Sequence, residues 1–193
     1  MRSFAGLPIA TCLLFMPFTF SCSWAEDVGD IYGGISYSQT VSKDESSRHL
    51  GTYKPTIIGI GLSVVALPNL ALDGYVFTGV SEDTNRIATT RTLTAVANDG
   101  YGFNLRPFLP LSSSWSLYGK LGRQYGSQET TIRQSGISIS TSRSTFAHTI
   151  YGAGLSYNFN PQWGVGFDYT KAVRIPSEEK NNSLISIGLR YKF

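Results

Sequence analysis

In the last eleven residues, "SLISIGLRYKF", apolar side chains recur at every second position from Ile185 to Phe193. One face carries Ile185, Ile187, Leu189, Tyr191 and Phe193, and serine, glycine, arginine and lysine occupy the positions between them. A two-residue period over nine positions predicts a β-strand with one apolar and one polar face. Such a strand needs a hydrophobic medium on one side and a polar one on the other.

The opposite end of the sequence has the pattern of a secretory signal peptide. The apolar run "LPIATCLLFMPFTF" follows an arginine and is broken by two prolines, and "SWA" then offers a small-x-small cleavage site. We therefore predict a signal peptide over residues 1–25, cleaved between Ala25 and Glu26, and a single mature domain over residues 26–193. An N-terminal membrane helix is the weaker interpretation, because the run is short and interrupted.

Cleavage at this position removes both cysteines of the sequence, Cys12 and Cys22. The mature domain then contains no disulfide and no thiol, so its stability must come from another source. A lipoprotein attached through Cys22 is the alternative, although bulky Phe20 lies where lipid-attachment sequences usually have a small residue.

Three short turns, at residues 67–69, 110–114 and 160–162, each separate two alternating segments rich in aromatic, β-branched and glycine residues. This arrangement is typical of β-hairpins. With a further segment near residues 30–40 and the terminal strand, the count of strands is eight.

The connections on the other side are longer and polar, over roughly residues 41–53, 81–96, 127–144 and 172–182. Short turns at one end and long loops at the other are typical of membrane barrels. We predict an all-β protein, an eight-stranded antiparallel up-and-down transmembrane β-barrel preceded by a signal peptide. The apolar strand faces then meet lipid, and the terminal strand closes against the first, because an unpaired strand edge is not tolerated in lipid.

The terminal strand resembles the C-terminal assembly signal of bacterial outer-membrane proteins, with Phe193 last, Tyr191 two residues before it and Leu189 two before that. Together with "YGAGLSYNFNPQWGVGFDYTKA", it resembles the last three strands of the small eight-stranded outer-membrane barrels of the opacity-like and Ail/Lom type. The resemblance implies a Gram-negative outer-membrane location. Its implied partners are outer-membrane lipid, lipopolysaccharide and the outer-membrane assembly machinery. Both mature termini are expected in the periplasm.

Strand parity places six charged residues on inward faces: Asp30, Asp73, Arg106, Lys120, Asp168 and Arg190. Unpaired charges are costly in a crowded lumen, whereas paired and hydrogen-bonded charges can fill it. We predict a salt-bridged polar core, with Asp168 and Arg190 paired across the last two strands. An ion-conducting pore is the alternative, which eight strands disfavour because they leave space only for side chains.

The sequence shows no pattern of catalytic or metal-binding residues. His49 and His148 have no cluster of cysteine, histidine or acidic residues beside them, so each is interpreted as solvated surface. The His-x-Ser pair of the lipid A deacylase family is missing, since Thr149 and Ile150 follow His148. We expect no enzyme, no cofactor and no metal, and the mild net charge of +3 indicates no nucleic-acid partner.

Function is therefore assigned to the outward loops, with the barrel as their scaffold. The segment "SQETTIRQSGISISTSRST", residues 127–145, alternates isoleucine with serine and threonine about a Ser-Gly turn. It predicts a β-ribbon that extends the barrel and whose edge can recruit a partner strand. The resemblance to the opacity-like and Ail/Lom barrels implies the leading hypothesis, a surface-exposed binding or structural scaffold, such as an adhesin, that binds an extracellular ligand through its loops. The alternative is a narrow porin for ions or small solutes.

Overall fold

The structure, a computed structural model, describes residues 26–43, 52–88, 91–134, 137–173 and 182–193. The predicted signal peptide, with Ala25, lies outside the described residues. His49 and parts of the four predicted loops lie outside them as well.

The described residues form ten β-strands. They are β1 (Ile31–Lys43), β2 (Thr52–Tyr53), β3 (Thr56–Leu67), β4 (Leu70–Ser81), β5 (Asp83–Ala88), β6 (Arg91–Pro110), β7 (Trp115–Gln134), β8 (Ile137–Asn158), β9 (Trp163–Val173) and β10 (Asn182–Lys192). β2 and β3 pair with successive parts of β1, and β4 and β5 pair with successive parts of β6. The ten segments of the described chain therefore make eight barrel strands.

Every pairing is antiparallel, and the order around the sheet is β1, β3, β4, β6, β7, β8, β9, β10. The last strand pairs with the first from Tyr32↔Lys192 to Ser42↔Asn182, which closes the barrel. The predicted eight-stranded up-and-down barrel is confirmed, as is its closure by the terminal strand. Closure satisfies the backbone groups that an open edge would leave unpaired in lipid.

One end of the barrel, named the turn end, carries the three short connections, and the opposite end is named the ribbon end. Asn69 turns the chain between β3 and β4 with a φ of 63°, a left-handed conformation that asparagine tolerates. The Ser112 hydroxyl accepts the backbone N–H groups of Ser114 and Trp115. Asn160 Oδ1 likewise accepts two N–H groups, so local side-chain hydrogen bonds form the second and third turns.

The outward side chains form an apolar band with aromatic residues at both margins. The band includes Ile35, Ile60, Leu62, Val76, Phe103, Leu105, Leu121, Phe167 and Ile187, all of which are exposed. At the turn end Trp115 contacts Tyr157, and Trp163 contacts Tyr191, with ring centroids 4.7 and 4.9 Å apart. At the ribbon end Tyr101 and Tyr125 stack at 5.2 Å. A lipid-facing band between aromatic girdles is typical of outer-membrane barrels.

Three neighbouring strands are much longer than the rest. β6, β7 and β8 have 20, 20 and 22 residues, against 11 to 13 in β1, β3, β4, β9 and β10. Their extensions remain paired, up to Arg91↔Gln134 and Gln134↔Ile137, and β5 pairs with β6 on the far side. Residues 83–88, 91–97, 128–134 and 137–145 thus form a four-stranded sheet, named the ribbon sheet.

The ribbon predicted within residues 127–145 is present. The expectation of a loop over residues 81–96 is wrong, because most of this range is β5 and the first part of β6. Its threonine-rich sequence "TLTAVA" finds a partner in the extended β7, and that pairing makes it a strand. No helix among the described residues is long and apolar enough to cross a membrane.

Candidate functional site

The lumen is the part of the barrel that brings charged residues together. The described residues form five ion pairs there: Arg106–Glu26 (3.3 Å), Arg106–Asp73 (3.2 Å), Lys120–Asp168 (2.7 Å), Arg190–Glu26 (2.5 Å) and Lys192–Asp30 (2.5 Å). Four acids face four cations, so the network is electrically balanced. Balanced, hydrogen-bonded pairs make burial of these charges tolerable.

The structure places all six charged residues named from the sequence in this network, but one predicted contact is wrong. Asp168 does not pair with Arg190. In the β9–β10 register Asp168 lies opposite Ser186, and Arg190 lies opposite Gly164. Four positions along a strand separate the two side chains by about 13 Å, which is too far for an ion pair.

Asp168 pairs instead with Lys120, across the intervening strand β8. Gly152 and Gly154 are the inward residues of β8 that lie opposite Lys120 and Asp168, respectively. Because neither glycine has a side chain, the lysine reaches over β8 to the carboxylate. The Asp168 carboxylate also accepts hydrogen bonds from the hydroxyls of Tyr118 (3.2 Å) and Thr170 (3.0 Å).

Glu26 is the lumen residue that the sequence analysis does not identify, since the sequence marks it only as the residue after the predicted cleavage site. Its side chain is 1% exposed and bridges Arg106 and Arg190. It lies outside the strands, so strand parity gives no information about it. A charge count could have found it, because four inward cations including Lys192 otherwise face only three inward aspartates.

The ribbon-end half of the lumen contains an apolar cluster, which the prediction of a salt-bridged polar core does not include. Ile57, Phe77, Ile150, Ala172 and Leu184 are all at most 8% exposed and form one cluster, with Phe146 packed against it. His148 is also buried and stacks on Phe146 at 4.7 Å. Its interpretation as solvated surface is therefore wrong.

A cavity of about 230 Å³ separates the ionic and the apolar layers. Its lining includes Ser36, Tyr75, Tyr118, Lys120 and Asp168. A second cavity, of about 50 Å³, lies at the ribbon end beside Gln124 and His148. The lumen therefore has an ionic layer at the turn end and an apolar cluster towards the ribbon end, with the cavity of about 230 Å³ between them.

Aromatic rings fill the lumen by lying over glycines of the neighbouring strand. A Cβ on Gly102 would collide with the ring of Tyr75, whereas a Cβ on Gly74 would meet nothing within 4 Å. We expect Gly102→Ala to lower the free energy of unfolding by about 1–3 kcal/mol, as overpacking of a core does. Gly74→Ala is the matched control and should be neutral or slightly stabilising. Urea unfolding in lipid vesicles measures both, and equal effects would contradict this packing.

Among the described residues no group of three or more histidine, cysteine or acidic side chains is arranged to hold a metal ion. What the geometry provides is a closed eight-stranded barrel with a lipid-facing band and a charge-paired lumen. This is the class of small integral β-barrel proteins. The chain belongs to the family described as the outer membrane protein beta-barrel domain, whose sequence model matches residues 10–193. The family places the protein in the bacterial outer membrane.

Solved structures of several outer-membrane proteins are similar to this chain. The attachment invasion locus protein Ail of Yersinia pestis is 17% identical, with a TM-score of 0.59 over 86% of this chain and 100% of Ail. Neisserial surface protein A is 16% identical, with a TM-score of 0.57 over 84% and 97% of the two chains. OprG of Pseudomonas aeruginosa is 13% identical, with a TM-score of 0.57 over 88% and 98%. These likenesses establish a shared fold. No curated protein sequence matches the chain significantly.

Proposed function

We propose that the protein is a surface-exposed binding scaffold, in which the barrel is the anchor and the ribbon sheet is the contact surface. The observation that carries this proposal is the length of β6, β7 and β8. They exceed the other barrel strands by about nine residues, or roughly 30 Å of extended chain. A paired sheet of this length exceeds what a lipid-spanning strand requires, which supports a role outside the membrane.

In this proposal the turn end faces the periplasm and the ribbon end faces outward, as in outer-membrane barrels generally. The mature chain begins at Glu26 after cleavage at Ala25. The apolar band contacts lipid, and lipopolysaccharide surrounds the ribbon-end girdle. No catalytic role is assigned to the lumen or to the ribbon sheet.

The charge of the ribbon sheet supports an anionic ligand. Residues 83–97 and 128–145 contain four arginines and two acidic residues. Of these arginines, Arg133 and Arg143 are exposed. Ail of Yersinia pestis has been solved in complex with sucrose octasulfate, a heparin analogue. We therefore propose sulfated saccharides as the first ligand class to test, since guanidinium groups bind sulfate oxygens in bidentate fashion.

The test removes the outer part of the β7–β8 hairpin. A variant in which a two-residue Asn-Gly turn replaces residues 128–144 keeps the paired Ser127 and Thr145, so the barrel should still fold. We expect heparin binding to be lost in this variant. We also expect Arg133→Ala with Arg143→Ala to raise the dissociation constant roughly tenfold, with a weaker salt dependence.

Lys171→Ala is the matched control, because Lys171 is an exposed cation on the barrel wall outside the ribbon sheet. Binding should be unchanged in this variant. Heparin binding that survives removal of residues 128–144 would contradict the proposal. Binding that falls equally with Lys171→Ala would point to a general charge effect instead of a site.

A narrow porin is the second candidate, and the cavity of about 230 Å³ is the observation in its favour. Planar-bilayer recording of the purified protein separates the two functions. A scaffold with a filled lumen should give no stable conductance. Steady unit conductance in the wild-type protein would favour the porin.

A further inference from the structure

Glu26 lies at the centre of the turn end, held from opposite walls of the barrel. Arg106 is on β6 and Arg190 is on β10, which are four strands apart in either direction around the sheet. Both reach the same carboxylate. Arg106 donates from Nη1 (3.5 Å) and Nη2 (3.3 Å), and Arg190 donates from Nη1 (2.5 Å). A carboxylate that bridges two facing guanidiniums occupies the position of a bound anion.

The segment that carries Glu26 is an inserted turn and not a barrel strand. The Asp27 N–H donates to the Asp30 carboxylate (2.8 Å), and the Gly29 N–H donates to the Val65 carbonyl (2.8 Å). Gly29 has a φ of 95°, which lets the chain fold back into the barrel mouth. Asp27 and Val28 remain exposed. The turn is thus attached to the wall through backbone hydrogen bonds of Gly29 and Asp30 with Val65 and through the Asp30–Lys192 ion pair, and its first side chain is buried.

Without Glu26, Arg106 would keep a charged partner, whereas Arg190 would keep only uncharged ones. Arg106 keeps Asp73 (3.2 Å) and the Ser63 hydroxyl (3.0 Å). Arg190 keeps Asn158 Oδ1 (2.8 Å) and the face of the Tyr32 ring (5.0 Å), neither of which carries a charge. Its Nε is already buried without a hydrogen-bond partner. Removal of Glu26 therefore leaves a poorly hydrated guanidinium that requires an anion.

We propose that Arg106 and Arg190 form a carboxylate-binding site and that Glu26 is its tethered ligand. The N-terminal turn, residues 26–30, is thereby a plug that closes the turn end of the lumen. A small free carboxylate takes the place of Glu26 when the turn withdraws or lacks its side chain. Entry to the cavity from the turn end is then controlled by occupancy of this site.

The first test is chemical rescue of the full mature protein in lipid vesicles. Glu26→Ala should lower the urea midpoint, and sodium acetate should restore it in a saturable way. At an acetate concentration 100 times its dissociation constant, the folded population gains roughly 100-fold relative to the unfolded one. Sodium chloride at the same ionic strength should not restore it. Asp27→Ala is the matched control, because Asp27 is one residue away and exposed, and acetate should not change its midpoint.

The second test measures access to the cavity. Neither cysteine of the sequence lies within residues 26–193, so Ser36→Cys places a single thiol on the cavity wall. An anionic methanethiosulfonate should label this thiol roughly tenfold faster when Glu26→Ala is also present, since unpaired cations attract the reagent. Acetate should slow the labelling again. Glu26→Gln, which keeps the shape of the side chain, provides the measurement if Glu26→Ala does not fold.

The outcomes are separable. If acetate and chloride change the urea midpoint of Glu26→Ala equally, that result would contradict the carboxylate-binding site. If Ser36→Cys is labelled at the same rate with glutamate, alanine or glutamine at position 26, the N-terminal turn does not act as a plug. Acetate rescue of the midpoint together with acetate-sensitive labelling supports both.

Discussion

Asp168→Ala is expected to lower the free energy of unfolding of the barrel by on the order of 3 kcal/mol, because it leaves the mostly buried Lys120 ammonium unpaired. The Asp168 carboxylate is the partner of Lys120 at 2.7 Å and accepts hydrogen bonds from Tyr118 and Thr170. The substitution removes all three acceptor contacts at once. Reversible urea unfolding in phospholipid vesicles gives the loss directly.

A double variant separates the charge from the packing. Asp168→Leu with Lys120→Met removes both charges and keeps most of the volume, so it should recover most of the stability lost by Asp168→Ala. Asp99→Ala is the control for an acid outside the lumen network, since Asp99 is exposed and accepts one hydrogen bond from Thr78. It should change the stability by less than about 0.5 kcal/mol.

The size of the stability loss in Asp168→Ala also shows whether water or side chains surround Asp168 in the lumen. If a water-filled channel surrounded Asp168, water would screen the pair, and the loss would be well under about 1 kcal/mol. A small loss accompanied by altered ion selectivity in a planar bilayer would contradict the filled lumen and favour the porin. A large loss with no conductance fits a scaffold whose interior serves stability.

The outer face of the barrel could be predicted from the sequence because lipid is a uniform medium. Every strand must present apolar residues to it at a period of two, and Ile185, Ile187 and Leu189 in β10 are indeed exposed outward. The same parity assigned Asn104 and Arg106 to the lumen, where both are buried. Local turn chemistry at Asn69 and Asn160 likewise marked the hairpins.

The lumen could not be predicted to the same depth, because its contacts depend on register and on distance across the barrel. Parity gives the face of β9 on which Asp168 lies. It does not give the position of Asp168 along the barrel relative to Arg190, which is set by the register between β9 and β10. The approach of Lys120 also requires the glycines of β8, which lie between the two charges. Glu26 precedes β1, so strand periodicity does not predict on which side of the barrel wall its side chain lies. The apolar ribbon-end layer follows the same inward parity as the charges, so parity alone did not distinguish the two.

Deletion of Phe193 is expected to reduce the amount of folded barrel in the outer membrane to a small fraction of the wild-type amount. In the structure the Phe193 N–H donates to the Ile31 carbonyl (3.0 Å), and its ring packs against Tyr191 with centroids 5.3 Å apart. The side chain is 76% exposed. Loss of one hydrogen bond and of the contacts of one mostly exposed ring accounts for roughly 1–3 kcal/mol. A larger loss of assembled protein requires that Leu189, Tyr191 and Phe193 are recognised during insertion.

Two comparisons isolate recognition from packing. Ile187→Ala removes a similar outward apolar contact from β10 but leaves the last residue in place, so its heat-modifiable, folded yield in cells should stay near that of the wild type. The purified Phe193-deleted chain should refold into lipid vesicles without any assembly machinery nearly as well as the intact chain, since all eleven β1–β10 residue pairs remain available. Equal losses in cells and in vesicles would mean that Phe193 acts through packing. A loss confined to cells would mean that the terminal strand is recognised before the barrel closes.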